Sequence, residues 1–404
     1  MGEPRGPGPV GTGTEAARPG DSRLGESRLG AIVSGDILAG EAATGEATTG
    51  AEAGDDGSRA VATARRPTMK DVAVLAGVSL STVSRVVNGE NARPDLIARV
   101  QHAVGMLGYR RDLTASTLRR ADRVSASIGL VVADVGNPFF AAVQRGVEEV
   151  ARQRGVLGFT GSSDEDPDRE RELAHALTGR RVDGLIIVPT GDDQSYLLTE
   201  RQAGMAFVFV DRPARHLDAD VVLSDNVGGT TDAVRHLLDR GHTRIAFLGD
   251  RQRLFTTAER LRGYRETLLT AGVGVDPAMV CVDLDSSAAA EEATRGLLAA
   301  PVPPTAVVAS QNLLTVGAVQ GLRAAGRQHH VALVGFDDVP LAAAVDPGIT
   351  VVAQRPVDLG RRAAELLFAR IDGYRGPSRT VIVETDLLPR GSGELAAATA
   401  AGTG

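Results

Sequence analysis

Two sets of side chains in this 404-residue sequence have types and spacings that could do chemistry. The first lies in Leu80–Asn88, where Val83, Val86 and Val87 mark one side of a short helix. Ser81, Thr82, Ser84, Arg85 and Asn88 are left facing outward or into a turn. Hydroxyl and guanidinium groups there suit base edges and phosphates, and an arginine can grip guanine with two hydrogen bonds. A three-helix bundle with a solvated polar face is the alternative that composition allows. The second set is dispersed. Phe139 and Phe140 follow a strand end and Asn137-Pro138, where an aromatic ring can stack on the flat apolar face of a sugar or base. Arg260 offers five donors in a fixed fork, and Asp337, just after a strand, can accept two hydroxyl hydrogen bonds. Each also has a plainer reading: Phe139 and Phe140 as core, Arg260 paired with a carboxylate, Asp337 capping a turn.

Catalytic constellations are missing from the sequence. The seven histidines form no HExxH-type helical pair, and no GxSxG elbow occurs. Lys70, the sole lysine, has no phosphate-binding glycine loop before it. The acids Asp164, Glu165, Asp166 and Asp168 read as a solvated loop and helix start. A single cysteine, Cys281, excludes a disulfide framework and any cysteine-based zinc site. The expectation is a non-enzyme without cofactor or metal. No apolar run is long enough to span a membrane and no export signal pattern is present, so a cytoplasmic setting is expected.

The elements that must position these groups are legible in turn. Thr68 with Asp71 makes a short capping box, and MKDVAVLA reads as a helix with Val72, Leu75 and Ala76 inward. Gly77 permits a tight turn, Ser79 can cap the second helix, and a third helix runs from Pro94 to Leu107 with Ile97, Val100, Val104 and Leu107 as its stripe. Two helices joined by a glycine turn and braced by a third form the unit that lays its second helix in a major groove. From Ile128 onward, short apolar runs (Ile128–Ala133, Gly184–Val188, Ala206–Val210, Arg244–Leu248, Ala306–Ala309, Val331–Val334) alternate with amphipathic helices, predicting parallel sheets in two lobes. Ligands in such folds bind beyond the carboxyl ends of the strands or between lobes.

Net charge is −7, but it is unevenly spread: residues 68–123 carry nine basic and five acidic side chains, between flanks of net −3 and −8. A basic module between acidic regions fits a nucleic-acid partner. Residues 1–67 hold fourteen glycines, one at every fifth position from Gly20 to Gly50, and no aromatic. That period lines up no buried face, so the segment is expected to be disordered. Its Gly6-Pro-Gly8-Pro-Val-Gly11 matches a dinucleotide fingerprint only formally, with no strand before it.

The string MKDVAVLAGVSLSTVSRVVNG, continuing to LGYRRDLTASTLRR, closely resembles the DNA-binding head of the LacI/GalR family of bacterial transcription regulators. Segments including ADVGNPFFAAVQRGVE, FVDRP, VGFDDVP and QRPVDLGRRAAELL are similar to the same family's effector-binding body, itself like periplasmic sugar-binding proteins. The resemblance implies that Leu80 and Ser81 hold the variable specificity positions and that Thr82, Ser84, Arg85 and Asn88 hold phosphates or bases. It implies a hinge helix at about Leu113 to Arg120, with Ala115 close to the minor groove and Leu118 as a wedge. Arg111-Asp112 replaces the family's usual Pro-Asn, leaving Asp112 to cap that helix. Positions matching Phe139, Phe140, Arg260 and Asp337 line the family's effector cleft. The usual Asn-Asp appears here as Gln311-Asn312, which removes a negative charge at the cleft mouth and admits an effector with an anionic group.

The expected organisation is a disordered head (1–67), a helix-turn-helix domain (68–111), a hinge helix and linker (112–123), a two-lobed α/β effector and dimerisation domain of the type I periplasmic-binding-protein kind (124–390) and a disordered tail (391–404). The expected function is a homodimeric regulator, a repressor, of operator double-stranded DNA controlled by a small-molecule effector such as a sugar. A pure ligand-binding protein and an effector-independent DNA-binding protein are the competing readings.

Overall fold

A computed structural model of the chain describes residues 65–110 and 125–397. Ala115, Leu118 and the rest of the expected hinge helix lie outside the described residues, as does the glycine-rich segment up to residue 64.

The first described segment folds into three helices: α1 (Met69–Ala76), α2 (Leu80–Val87) and α3 (Pro94–Leu107). Local chemistry dictates each boundary. Thr68 and Asp71 complete the capping box at the start of α1, and Ser79 accepts the Thr82 N–H at the start of α2. Gly77 turns the chain between them at φ +61°, a left-handed conformation that a side chain would resist, while Arg99 Nη2 donates to its carbonyl at 3.0 Å. Val72, Ala76, Val83, Val100 and Ala103 make the core. Leu75 does not point inward as its spacing suggested; it is 52% exposed. In a two-turn helix the buried stripe narrows to Val72 and Ala76, four residues apart, and Leu75 falls on the open side.

The body is two parallel α/β lobes. The first contains β1 (Ser127–Val132), α4 (Pro138–Gln153), β2 (Leu157–Ser162), α5 (Pro167–Gly179), β3 (Gly184–Ile187), α6 (Leu198–Gln202), β4 (Ala206–Val210) and β5 (Asp220–Ser224). The second contains α7 (Asn226–Leu238), β6 (Ile245–Leu248), α8 (Phe255–Thr270), β7 (Val280–Cys281), α9 (Ser287–Leu298), β8 (Ala306–Ala309), α10 (Asn312–Ala324), β9 (Ala332–Phe336) and β10 (Thr350–Ala353). The chain then returns to the first lobe for α11 (Pro356–Ile371) and β11 (Thr380–Val383), and crosses a third time to β12 (Asp386–Leu388). Strand orders are β11-β5-β4-β3-β1-β2 and β12-β10-β9-β8-β6-β7, with only β12 antiparallel to its neighbour. The continuous apolar runs are explained by burial on both faces. Along β4, Val208 and Val210 face α4 and α11, while Phe207 and Phe209 face the α5 side. Helices α4 and α11 touch through glycine: a Cβ on Gly360 would strike the Val143 carbonyl, and one on Gly146 the Val357 carbonyl.

Two polar clusters complete the lobes. Asp220, fully buried at the start of β5, takes a two-pronged contact from Arg370 (2.7 and 3.0 Å) and another from Arg379 Nη2 (2.6 Å). Both guanidiniums lie over the Tyr374 ring. In the second lobe, residues 391–397 are not the start of a disordered tail that the composition suggested, and residues 398–404 lie outside the described residues. Ser392 is buried and donates to the Leu333 carbonyl at 2.6 Å, Glu394 meets His236 Nε2 at 2.7 Å, and His242 Nε2 reaches the Leu395 carbonyl at 2.8 Å. These anchors come from β9, 59 residues away, and from α7 and the loop after it, 158 and 153 residues away in sequence, so tail composition could not reveal them.

The Asp220 cluster predicts both mutational and pH behaviour. Burial raises the Asp220 pKa, but the two arginines outweigh it and hold the carboxyl at about 2. A lowered folded-state value stabilises above the ordinary range near ~4, and that contribution fades as pH falls towards the folded value. Urea unfolding of Asp220→Ala at neutral pH should show a loss of about 3–5 kcal/mol, because buried Arg370 and half-buried Arg379 lose the carboxylate that neutralises them. The gap between mutant and wild type should shrink below about pH 4, where the carboxyl protonates in the unfolded chain while the folded one stays ionised.

Candidate nucleic-acid interface and ligand cleft

On the three-helix head, α2 presents Leu80 (43% exposed), Ser81, Arg85 and Asn88 to solvent, while Thr82 and Ser84 are half-buried and Val83 is fully buried. Thr82 Oγ1 lies 2.8 Å from Ser79 Oγ, and Asn88 Nδ2 donates to Ser84 Oγ at 3.3 Å. Among the described residues no hydrogen bond or ion pair engages Arg85, so its fork is available to a ligand. Arg93, by contrast, is held by Asp95. The six positions singled out on this helix therefore form one continuous surface.

The second candidate site is a cavity of about 380 Å³ between the lobes, within the ordinary ~300–1,000 Å³ range of small-molecule sites. Parallel winding explains its position, since loops at the carboxyl ends of strands from both sheets open into it. From the first lobe come Asp134 after β1, Asp164 and Glu165 after β2, and Asp211 and Arg212 after β4. From the second come Asp250 and Arg251 after β6, Gln311 after β8 and Asp337 after β9. Gln354, at the second crossing, closes the floor.

All five residues expected in the cleft meet there: Phe139, Phe140, Arg260, Gln311 and Asp337. The two phenylalanines sit edge to face, with ring centroids 5.1 Å apart and planes at 78°. Each also belongs to the first lobe's apolar core, so wall and core are the same side chains. Arg260 is buried on α8, its guanidinium 3.8 Å from the Phe336 ring centre. Its Nε donates to Asn226 Oδ1 at 2.7 Å and its Nη1 to the Ser310 carbonyl at 2.5 Å, whereas no hydrogen bond engages Nη2 among the described residues. Asp337 adopts φ +70°. One of its oxygens accepts the Asn312 N–H at 3.3 Å and the other accepts from Gln354 Nε2, leaving each oxygen a further lone pair.

Other lining residues were not assigned to the cleft from the sequence, although Asp134, Asp211 and Arg212 lie in segments similar to the family's effector-binding body. Arg212 and Glu165 form a two-pronged pair at 2.6 and 2.9 Å, and Arg212 Nη1 also donates to the Pro189 carbonyl. Glu165 is therefore no solvated loop acid. Burial pushes its pKa up, yet the Arg212 fork more than compensates and leaves it below the ordinary carboxylate range. Asp211 sits 3.5 Å from Arg212 Nε; burial raises its pKa, against the pull of Arg212 and Arg260. A charged pair immediately after the buried run Ala206–Val210 was the available signal for Asp211 and Arg212. Two contacts cross the cleft: Asn312 Nδ2 donates to Asn137 Oδ1 at 2.7 Å, and Arg253 Nη1 donates to the Thr190 carbonyl at 2.8 Å. The Thr190 loop is itself held by buried Glu170, which accepts from Thr190 N and Oγ1 and from the Tyr196 hydroxyl.

Seven carboxylates and three guanidiniums line the cavity. This balance runs against the anionic effector admitted by Gln311-Asn312. Gln311 Nε2 donates to Asp250 Oδ2 at 3.1 Å, and Asp250 and Asp285 keep the mouth acidic without a further carboxylate at 311 or 312. Among the described residues, no group of three or more His, Cys, Asp or Glu could hold a metal ion, and no helix is long and apolar enough to cross a membrane.

Comparison with known proteins follows the same division of the chain. Residues 68–112 match the model of bacterial regulatory proteins of the lacI family, and residues 234–393 match a periplasmic binding protein-like domain. The HTH-type transcriptional regulator CelR of Thermobifida fusca is 35% identical over 341 residues, covering 81% of this chain and 99% of CelR. The chain belongs to the LacI family of bacterial transcription regulators. Among solved structures, this LacI-family chain is similar to a CelR–cellobiose complex (TM-score 0.61, 34% identity, 81% of this chain and 100% of that one). It shares its fold with the lac repressor dimer bound to operator and the anti-inducer ONPF (TM-score 0.73, 23% identity, 81% and 99% covered). It is a DNA-binding transcription regulator with a lacI-type head and a two-lobed α/β body.

Removing Arg212 should expose the electrostatic economy of the cleft. Arg212→Met leaves Glu165 buried beside Asp211 without its fork, so thermal unfolding should shift down by the equivalent of about 3–5 kcal/mol. The companion Arg212→Met/Glu165→Gln should recover much of that loss, and an equally unstable double variant would show that the pair does not act as a unit.

Proposed function

We propose that this regulator binds a near-palindromic operator as a homodimer, through Leu80, Ser81, Thr82, Ser84, Arg85 and Asn88 of α2, and that a neutral polyhydroxylated effector in the interlobe cleft sets its affinity for that operator. The observation that carries the effector class is the lining itself: an edge-to-face phenylalanine pair beside carboxylates and the incompletely engaged guanidinium of Arg260. Carboxylates accept from hydroxyls, Arg260 Nη2 donates to a ring or hydroxyl oxygen, and the aromatic wall suits an apolar sugar face. A phosphate or carboxylate on the ligand would meet a surplus of like charge in a poorly screened site. The relative solved with cellobiose supports the same class. An effector that contacts both lobes shifts the dimer between states of different operator affinity, and the coupling is reciprocal.

Isothermal titration against neutral sugars, including cellobiose, and their phosphate esters tests this reading. Heat from a neutral member and none from its phosphate is the expected result; an operator affinity changed less than about twofold by the ligand would overturn the regulatory coupling. Asp337→Ala should abolish the effector response while leaving DNA affinity in its absence unchanged, as read in a dose-response by electrophoretic mobility shift. Arg85→Ala should weaken operator binding at least about tenfold while the circular dichroism spectrum stays that of wild type, the effect of deleting a charge-assisted two-pronged base contact.

A further inference from the structure

We infer that Leu80 reads the methyl group of a thymine in each operator half-site, an inference that rests on the operator-binding function proposed above. Leu80 is the first residue of α2, directly after the cap Ser79, and 43% of it is exposed. It takes no part in the apolar cluster of Val72, Ala76, Val83, Val100 and Ala103 that holds the three helices together. Its side chain thus contributes little to the fold while leaving apolar surface in water at the one end of the helix that meets DNA. Recognition helices contact base edges through their N-terminal residues. Among the groups displayed in a major groove, the C5 methyl of thymine is the apolar one, and a branched alkyl side chain can neither donate to nor accept from the others.

The neighbouring hydroxyls sharpen this assignment. Ser81 Oγ lies 2.8 Å from Ser79 Oγ, which lies 2.8 Å from Thr82 Oγ1 and accepts the Thr82 N–H at 3.1 Å. The three hydroxyls are tied to one another around the helix cap, so the first turn of α2 offers its base-facing contact chiefly through Leu80. Arg85, more than one turn further on, remains available for guanine or phosphate.

The test uses the full chain and an operator recovered by selection from random DNA. Each thymine is replaced in turn by deoxyuridine, which deletes the methyl and keeps every hydrogen-bonding group. At one position per half-site, wild-type affinity should fall about fourfold, the scale of one buried methyl, and Leu80→Ala should show no more than about a 1.5-fold difference there. A leucine serving only the fold would weaken binding to both DNAs alike and leave their ratio unchanged. Uracil tolerated at every position, or discrimination that persists in Leu80→Ala, overturns the inference while leaving the regulator reading intact. Recovery of no bound sequence at all overturns both.

Discussion

The two lobes are bound by a constraint of chain path: the chain crosses between them three times, and each crossing is only a few residues long. The crossings at 224–226, 353–356 and 383–386 carry the polypeptide from one sheet to the other and back. Because nearly all strands are parallel, each lobe delivers its loops to one edge, and the crossings oblige those edges to face each other. Arg355 and Asp386, from two different crossings, are joined by paired hydrogen bonds of 2.9 Å. Ser224, at the first crossing, donates to Gln354 at the second. Nothing in the cleft could converge without this arrangement, since its carboxylates and guanidiniums come from segments separated by up to two hundred residues.

Electrostatics then decides what kind of ligand that convergence suits. The cleft gathers acids that would repel one another if bare, and the fold answers with buried arginines at their centre: Arg212 in the fork of Glu165, Arg260 between Asp211 and Asp337. Burial pulls the Arg260 guanidinium below its usual value, while Asp337 and Asp211 push it back up. Each arginine is used for internal neutralisation before it meets any ligand. That leaves a polar, donor-and-acceptor-rich surface with a residual negative character, suited to hydroxyls and ill suited to anions.

The parts that could be read from the sequence are those written in short-range chemistry. Thr68 with Asp71, Gly77, Ser79, Pro94 and Gly108 each act on their own turn of chain, so the head's boundaries follow from adjacent residues. Phe139, Phe140, Arg260, Gln311 and Asp337 were found through family resemblance and strand-end position, and the cavity collects them all. What escaped is long-range. Glu165 belongs to a run of acids that looks solvated until Arg212 comes into reach 47 residues later. Gln354 opens a segment similar to the family's body, but nothing in that segment assigns it to the cleft; the crossing brings it to Asp337. Leu75 shows the opposite failure, a helical spacing too short to indicate which of its apolar residues the core would accept.

Gln354 carries a mechanical consequence. Its amide nitrogen donates to Asp337 on the cavity wall and its amide oxygen accepts from Ser224 at the first crossing, so one side chain joins the cavity wall to the path between the lobes. A hydroxyl competing for Asp337 would also compete with Gln354, and the disturbance would arrive where the chain crosses between the lobes rather than at their rims.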